Sequence, residues 1–237
     1  MKPEELIAQR YLESLLIGDV VYEPDGNIPP DFAVNRATAV EVRRLNENYF
    51  GNRDPEGLED QRIKLWRLFD RLTKKYTKNP SEKTYWLSFF HKRPLSSPCD
   101  VERAATLALD SFMMRPTDEA QSYKITSGLT LEIRYLGPAV GVDDQRFVVA
   151  SASDKDRGGF VLPILLRNLE FCLAEKSEKI RPYLGRYPCW WLVLIDHVSL
   201  GLSQNEIAYL RAGAPQKNPW DKVILLDPTS AKEVYSF

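Results

Sequence analysis

The residues best placed to do chemistry lie in one run: Pro30-Asp31-Phe32-Ala33-Val34, then Asn35-Arg36-Ala37-Thr38, then Ala39-Val40-Glu41-Val42-Arg43. The run reads as two short strands around a tight turn. Strand side chains alternate between faces, so Val40 and Val42 share one face, and Glu41 and Arg43 share the other. In the first strand Phe32 and Val34 share a face, which leaves Asp31 with Ala33. A turn over 35–37 sets Asp31 opposite Glu41. Two carboxylates at cross-strand distance, with a cation two residues on, form a seat for a divalent metal and a phosphate.

Phosphodiester hydrolysis needs a polarised phosphorus, an activated water and a neutralised leaving oxygen, and carboxylate-held Mg²⁺ (or Mn²⁺) supplies all three. The protein must offer hard oxygen ligands on rigid backbone and a charged group near the scissile phosphate. Asp31 and Glu41 meet the first demand, and Arg43 the second. The plainer reading of the same residues is structural. Asp31 starts a strand after a proline, and Glu41 and Arg43 belong to a solvated sheet face.

These residues resemble the PD-(D/E)xK nuclease superfamily, the restriction-endonuclease-like fold. Its pattern is an acidic residue, usually after proline, on one strand, followed by an acidic-x-lysine triplet on the next. Pro30-Asp31 matches the first half, and Glu41-Val42-Arg43 matches the second with one substitution. The preceding helix and strand, and a helix after the hairpin, follow the family's usual order, so the resemblance covers roughly residues 1–80. It implies that Asp31 and Glu41 are metal ligands, joined by a glutamate of the opening helix. Glu5 and Glu13 both qualify and Glu4 stays open; Glu13 is carried in the expected metal set. The departure is Arg43. Lysine can shed its proton at modest cost, whereas arginine stays charged and cannot act as a base. Arg43 can still hold a phosphate. A lysine from elsewhere, such as Lys64, is then expected to project into the site, or catalysis is lost. The alternative is thus a catalytically inactive module binding nucleic acid or a protein partner.

The elements that must position these residues follow from hydrophobic spacing. Residues 3–17 read as an opening helix stopped by Gly18, and 19–23 as a strand. After the hairpin, 46–58 is polar and carries Gly51, Pro55 and Gly57, which predicts a loop. A helix is expected over 58–76, with Leu65, Leu68, Phe69, Leu72 and Tyr76 as its apolar stripe. Residues 84–91 and 146–151 read as strands, as does 129–136, closed by Gly137-Pro138. A helix capped by Asp100 should end before Pro116. A second long helix is expected over about 163–183. Residues 189–195 and 222–226 are short and almost wholly apolar, which predicts buried strands. Between them Ser203 and Glu206 form a capping-box pattern. Helices and strands alternate throughout, so the fold class is α/β or α+β with a mixed central sheet flanked by helices. A single domain over 1–237 is expected, with 46–58 and 152–160 as the best candidate boundaries.

Beside the apolar stripe of 58–76 runs a basic one, Lys64, Arg67, Arg71, Lys74, Lys75 and Lys78, interrupted by Asp70. It could track a phosphate backbone, or serve as a solvated helix face. Trp66 and Arg62 flank it. His91 and His197 follow apolar strands with no histidine or cysteine at ligand spacing. Asp196 and Asp227 end apolar strands and are expected to cap loops. No P-loop, GxGxxG or GxSxG pattern occurs.

The chain has 43% apolar and 27% charged residues, which suits a globular protein able to bury a full core. Its three cysteines are far apart and fit a reducing compartment. With no membrane-length apolar run and no signal-peptide stretch at the N-terminus, a cytoplasmic location is expected. The net charge of −1 argues against a uniformly basic surface, though not against a local one. DNA or RNA is the expected partner, a membrane is not, and a homo-oligomer is compatible with the sequence.

Overall fold

The computed structural model describes residues 1–51, 55–77, 82–138, 145–199 and 201–237. Lys78, the last residue of the basic stripe, lies outside them. The chain runs α1 (Pro3–Ser14), β1 (Val20–Tyr22), β2 (Phe32–Val34), β3 (Thr38–Leu45), β4 (Asn48–Tyr49), β5 (Glu56–Gly57), α2 (Leu58–Thr73), β6 (Lys83–His91) and α3 (Pro98–Met114). It continues through β7 (Gln121–Thr126), β8 (Leu129–Pro138), β9 (Phe147–Asp154), α4 (Val161–Ile180), β10 (Cys189–Asp196), α5 (Gln204–Gly213), β11 (Lys222–Leu226) and β12 (Glu233–Ser236), with a 3₁₀ turn over Arg181–Arg186. This is a mixed α/β architecture. No helix among the described residues is long and apolar enough to cross a membrane.

The chain divides into two compact units, where a single domain was expected. Residues 1–48 and 159–237 form the first, and 49–158 form the second. The first unit holds a six-stranded sheet in the order β1-β2-β3-β10-β11-β12. β3, β10 and β11 are mutually parallel, and β1, β2 and β12 add antiparallel edges. Alternation along the parallel strands builds two cores. Ala39, Leu192, Leu194, Val223 and Leu225 pack on α4 residues Leu165, Leu169 and Leu173. Val40, Val42, Val193, Ile195 and Ile224 pack on α1 residues Ala8, Tyr11 and Leu12. Both faces are covered, which is why β10 and β11 read as continuous apolar runs.

The hairpin that matters is set by its turn. Ala37 N–H donates to Val34 C=O at 3.0 Å, and Asn35 and Arg36 both have positive φ. The loop between the paired Val34 and Thr38 has three residues, two of them left-handed, and asparagine tolerates that conformation. The Asn35 side chain accepts from Asp19 N–H at 3.0 Å, which ties the turn to the start of β1. The register follows: Phe32 faces Val40, Ala33 faces Ala39 and Val34 faces Thr38.

The second unit holds a four-stranded sheet in the order β7-β8-β6-β9. Its core gathers Leu65, Phe69 and Leu72 of α2 and Val101, Ala105 and Phe112 of α3 against Tyr85, Leu87 and Phe89 of β6. The helix after the hairpin in sequence, α2, therefore belongs to the second unit. Within the first unit β3 is packed by α1 on one face and by α4 on the other. Residues 1–80, expected to hold one core, are thus divided between the two units. The α3 cap is also corrected. Ser97, not Asp100, caps the helix: its hydroxyl accepts from Asp100 N–H at 3.2 Å, and Pro98 opens the first turn, where its missing N–H costs nothing. β7 and β12, two polar edge strands, carry no sequence signal strong enough to predict.

Candidate metal centre

Extending the β2–β3 register by one residue brings Asp31 opposite Glu41. The ladder cannot continue to Pro30, which has no N–H to donate. Val42 N–H, which would face Pro30, instead donates to Asp31 Oδ2 at 2.7 Å. One aspartate oxygen is thus fixed by the local backbone. Asp31 C=O still accepts from Glu23 N–H at 2.9 Å, so the residue is held on both sides.

Glu41 points to the α4 side of the sheet and is fully buried. Its Oε2 accepts from Lys176 Nζ at 2.6 Å and from Lys179 Nζ at 3.0 Å. On α4, Cys172, Glu175, Lys176 and Lys179 follow helical spacing and meet the Glu41–Arg43 face of β3. Arg43 shares that face with Glu41, as alternation requires. Its guanidinium, however, donates to Cys172 Sγ at 3.2 Å and pairs with Glu175 at 2.7 Å. Burial pushes the Cys172 thiol up, against the pull of Arg43, so the thiol is the packed residue expected of a structural cysteine.

The electrostatics separate the two acids from ordinary surface carboxylates. Burial, reinforced by the Glu41 charge, pushes the Asp31 carboxyl above its usual range; Lys176, the Val42 N–H and Lys179 pull the other way. Burial works against the Lys179 ammonium, but Glu41, with Asp31 behind it, holds its pKa above the usual lysine value. Lys2 contributes a third cation. Its hydrogen bond to Glu5 raises its pKa most, and the charges of Asp31 and Glu41 add to that.

Among the first-helix glutamates, Glu5 is the one drawn into this neighbourhood. It is 5% exposed, pairs with Lys2 at 3.1 Å and accepts from Tyr22 Oη at 3.0 Å. Glu13 is exposed and accepts from Gln9 Nε2 at 2.8 Å. Eight residues of helix separate it from Glu5 by about 12 Å. Glu4 faces Arg44 at 3.8 Å.

The basic stripe lies on α2, in the second unit, and acids from other elements meet part of it. Lys64 pairs with Glu56 at 3.2 Å, Arg71 with Glu102 at 2.8 Å, and Lys75 with Glu102 at 3.9 Å, while Lys74 pairs with Asp70 at 2.7 Å. Arg67 is exposed. Asp196 and Asp227 cap loops as expected. Asp196 accepts from Val198 N–H at 2.8 Å and Ser199 N–H at 3.0 Å, and Asp227 from Thr229 N–H at 2.9 Å and Ser230 N–H at 2.6 Å.

Sequence reasoning missed Lys176 and Lys179, the cations that actually reach Glu41. A signal exists. Leu165, Leu169, Cys172, Leu173 and Ile180 make the apolar stripe of α4, and Lys176 falls inside it. A lysine within a buried stripe needs a buried acid.

The Asp31 and Glu41 oxygens are hard, as Mg²⁺ and Mn²⁺ require, and Asp31 carries like-charge stress that a cation relieves. Among the described residues no third acid, histidine or cysteine converges on a common point. Water and phosphate oxygens would have to complete the shell of such an ion, and on Glu41 the place of a cation is held by Lys176 at 2.6 Å and Lys179 at 3.0 Å. Comparison with known families, curated proteins and solved structures gives no match to this chain.

Proposed function

We propose that the Asp31–Glu41 centre supports metal-dependent hydrolysis of DNA or RNA phosphodiesters, on a core of the restriction-endonuclease-like kind. The observation that carries the reading is the convergence of Asp31, Glu41 and Lys176, delivered by three separate elements of one unit. The order of elements around the site supports it: a helix, three antiparallel strands, then α4 and the parallel strand β10. A bound Mg²⁺ or Mn²⁺ would polarise the phosphate and acidify a water. Asp31 holds one carboxylate oxygen rigid through Val42 N–H and presents the other. Glu41 offers its carboxylate once an ammonium yields. Lys179, 46% exposed, is free to withdraw, whereas Lys176, 10% exposed, stays. Lys176 then supplies the amine that Arg43 cannot, since Arg43 is committed to Glu175. In this arrangement it orients water or steadies charge developing on the phosphate.

One observation favours a second reading, an inactive module. Two lysines already neutralise Glu41, so the acid has no unmet need for a metal. The two readings part on one experiment: cleavage of single- and double-stranded DNA and RNA with Mn²⁺ by the wild type, Asp31→Ala and Glu41→Ala. The hydrolase reading expects wild-type cleavage reduced at least 100-fold in both variants. Equal activity in all three removes it.

A further inference from the structure

The sheet face that carries Asp31 and Glu41 continues past the metal centre. Asp31 and Ala33 share one face of β2, and Glu41 and Ala39 share the same face of β3. Ala33 pairs with Val21 on one side and with Ala39 on the other. The row Val21–Ala33–Ala39 therefore lies one step along the strands from the two acids, about 6.5 Å away. Over this row opens a pocket of about 620 Å³, inside the range of small-molecule sites, roughly 300–1,000 Å³. Val21 and Ala33 form its floor, and Asp25, Arg36, Arg186 and Tyr187 stand around them. All six residues belong to the first unit.

The wall follows the same direction as the floor. α4 runs antiparallel to β3, since Glu175 meets Arg43 while Lys176 and Lys179 meet Glu41. Beyond α4 the chain heads for the hairpin turn, where Cys189 pairs with Thr38. Arg186 and Tyr187, just ahead of Cys189, thus flank the floor beside that turn. One track results, from Asp31 over Ala33 to Arg36 in the turn itself.

The lining carries an excess of positive charge, and that excess is Arg36. Asp25 Oδ2 accepts from Arg186 Nη1 and from Tyr187 Oη, each at 3.4 Å, so one carboxylate answers one guanidinium. Arg36 is exposed, and its side chain has no hydrogen-bond or ion-pair partner among the described residues. The turn does not need an arginine: its φ of 56° is a left-handed value that asparagine or glycine takes more readily. Tyr187 adds an aromatic ring, set edge-on to Trp190 with centroids 5.9 Å apart.

These groups suit a nucleotide strand. A scissile phosphate at Asp31 and Glu41 puts the next nucleotide over Ala33, because one step between rows is close to one step between phosphates in an extended strand. The following phosphate reaches Arg36, whose planar fork matches it. The base then enters the pocket beside Tyr187. An unpaired base is able to stack on an aromatic side chain, whereas a base in a duplex is already held by its neighbours and its partner.

We propose that this pocket is the subsite for the nucleotide beside the scissile phosphate, and that it selects single-stranded nucleic acid. Only the place of the scissile phosphate draws on metal-dependent hydrolysis; the binding of an unpaired strand does not.

The test has two arms, both on the full chain. In EDTA, fluorescence anisotropy reads binding of an end-labelled ten-nucleotide single strand and of a hairpin duplex, each as DNA and as RNA. The expected result is saturable binding of the single strand, at least tenfold tighter than the duplex. Arg36→Asn keeps the left-handed turn and removes the cation; it should raise the Kd about three- to tenfold and lower the salt slope by about one. Val21→Glu sets a carboxylate in the floor from a position 36% exposed, and should raise the Kd at least tenfold. In Mn²⁺, the same variants should raise KM for the single strand by similar factors, with kcat changed less than about threefold. A wild type that cleaves nothing but keeps this binding pattern removes the hydrolase and leaves the single-strand site supported. Cleavage by a wild type whose two variants bind as it does, with intact circular dichroism, keeps the hydrolase and overturns the subsite. Duplex bound as tightly as the single strand, or neither probe bound, also overturns it.

Discussion

Each unit buries a cluster of charges, and the two clusters are finished differently. In the second unit Arg93 closes on everything around it. It donates to Asp154 at 2.9 Å, Asp156 at 3.2 Å and Leu58 C=O at 2.9 Å, with its guanidinium over the Tyr49 ring. Asp156 also accepts from Arg93 N–H at 2.6 Å, and Asp154 from Asp156 N–H at 2.9 Å. These bonds tie the ends of β6 and β9 to the start of α2. In the first unit Asp31 keeps an oxygen uncommitted to backbone, stands against a second carboxylate and is pushed toward its protonated form. One of the Glu41 lysines stays half in water. In the second unit one guanidinium sealed from water answers two carboxylates, whereas in the first Asp31 and Glu41 face two ammonium groups, one of them half exposed at the edge of the cluster.

The largest expected effect lies in the second unit. Arg93→Met removes one partner from two buried carboxylates, a change that typically costs about 3–5 kcal/mol. Thermal or urea melts should show the loss with or without Mn²⁺. A cost below about 1 kcal/mol would mean that the knot is not structural. Lys176→Met should be milder, on the order of 2 kcal/mol, because Lys179 remains on Glu41. Here Mn²⁺ should restore part of the stability, since a divalent ion can replace the lost ammonium. Absence of any rescue would place Lys176 and Arg93 in the same class.

Two smaller effects sharpen the contrast. The Asp31 pKa is raised in the folded state, so its contribution is full below the ordinary aspartate value and is lost as pH rises through the folded one. Asp31→Asn should therefore stabilise the metal-free protein at pH 7 by roughly 0.5–2 kcal/mol, a gain that shrinks toward pH 4. The same variant should abolish any Mn²⁺-induced shift in melting temperature. His91 behaves oppositely. Burial lowers its pKa, with Asp154 opposing and Arg93 adding to the effect. The unfolded chain then takes up this proton first, so stability is full above the ordinary histidine value and falls as pH drops toward the folded one. His91→Phe should remove that part of the slope between pH 7 and 5.5 in calorimetry, and an unchanged slope would assign it elsewhere.

The hairpin was readable because its information is local. Alternation and the turn at 35–37 specify which residues face each other, and the register puts Asp31 against Glu41. The buried strands at 189–195 and 222–226 and the Ser203–Glu206 cap were readable for the same reason. What escaped depends on tertiary placement. The cations on Glu41 come from α4, 135 positions away in the chain, and no spacing rule links β3 to them. The insertion of 49–158 hid the true neighbour of the hairpin, because α2 carries every mark of the next helix in sequence and packs on a different sheet. Arg43 was placed on the correct face, yet its partner Glu175 lies on that same distant helix.

In the proposed hydrolase Asp31 and Glu41 hold one divalent ion between them. Anomalous diffraction from a crystal soaked in Mn²⁺ tests this directly, with Glu41→Gln as the control. The account expects a single strong peak between the two carboxylates, with the Lys179 ammonium displaced from Glu41, and no peak in the variant. A map without density there, or with Lys176 and Lys179 both still on Glu41 at saturating Mn²⁺, would contradict it.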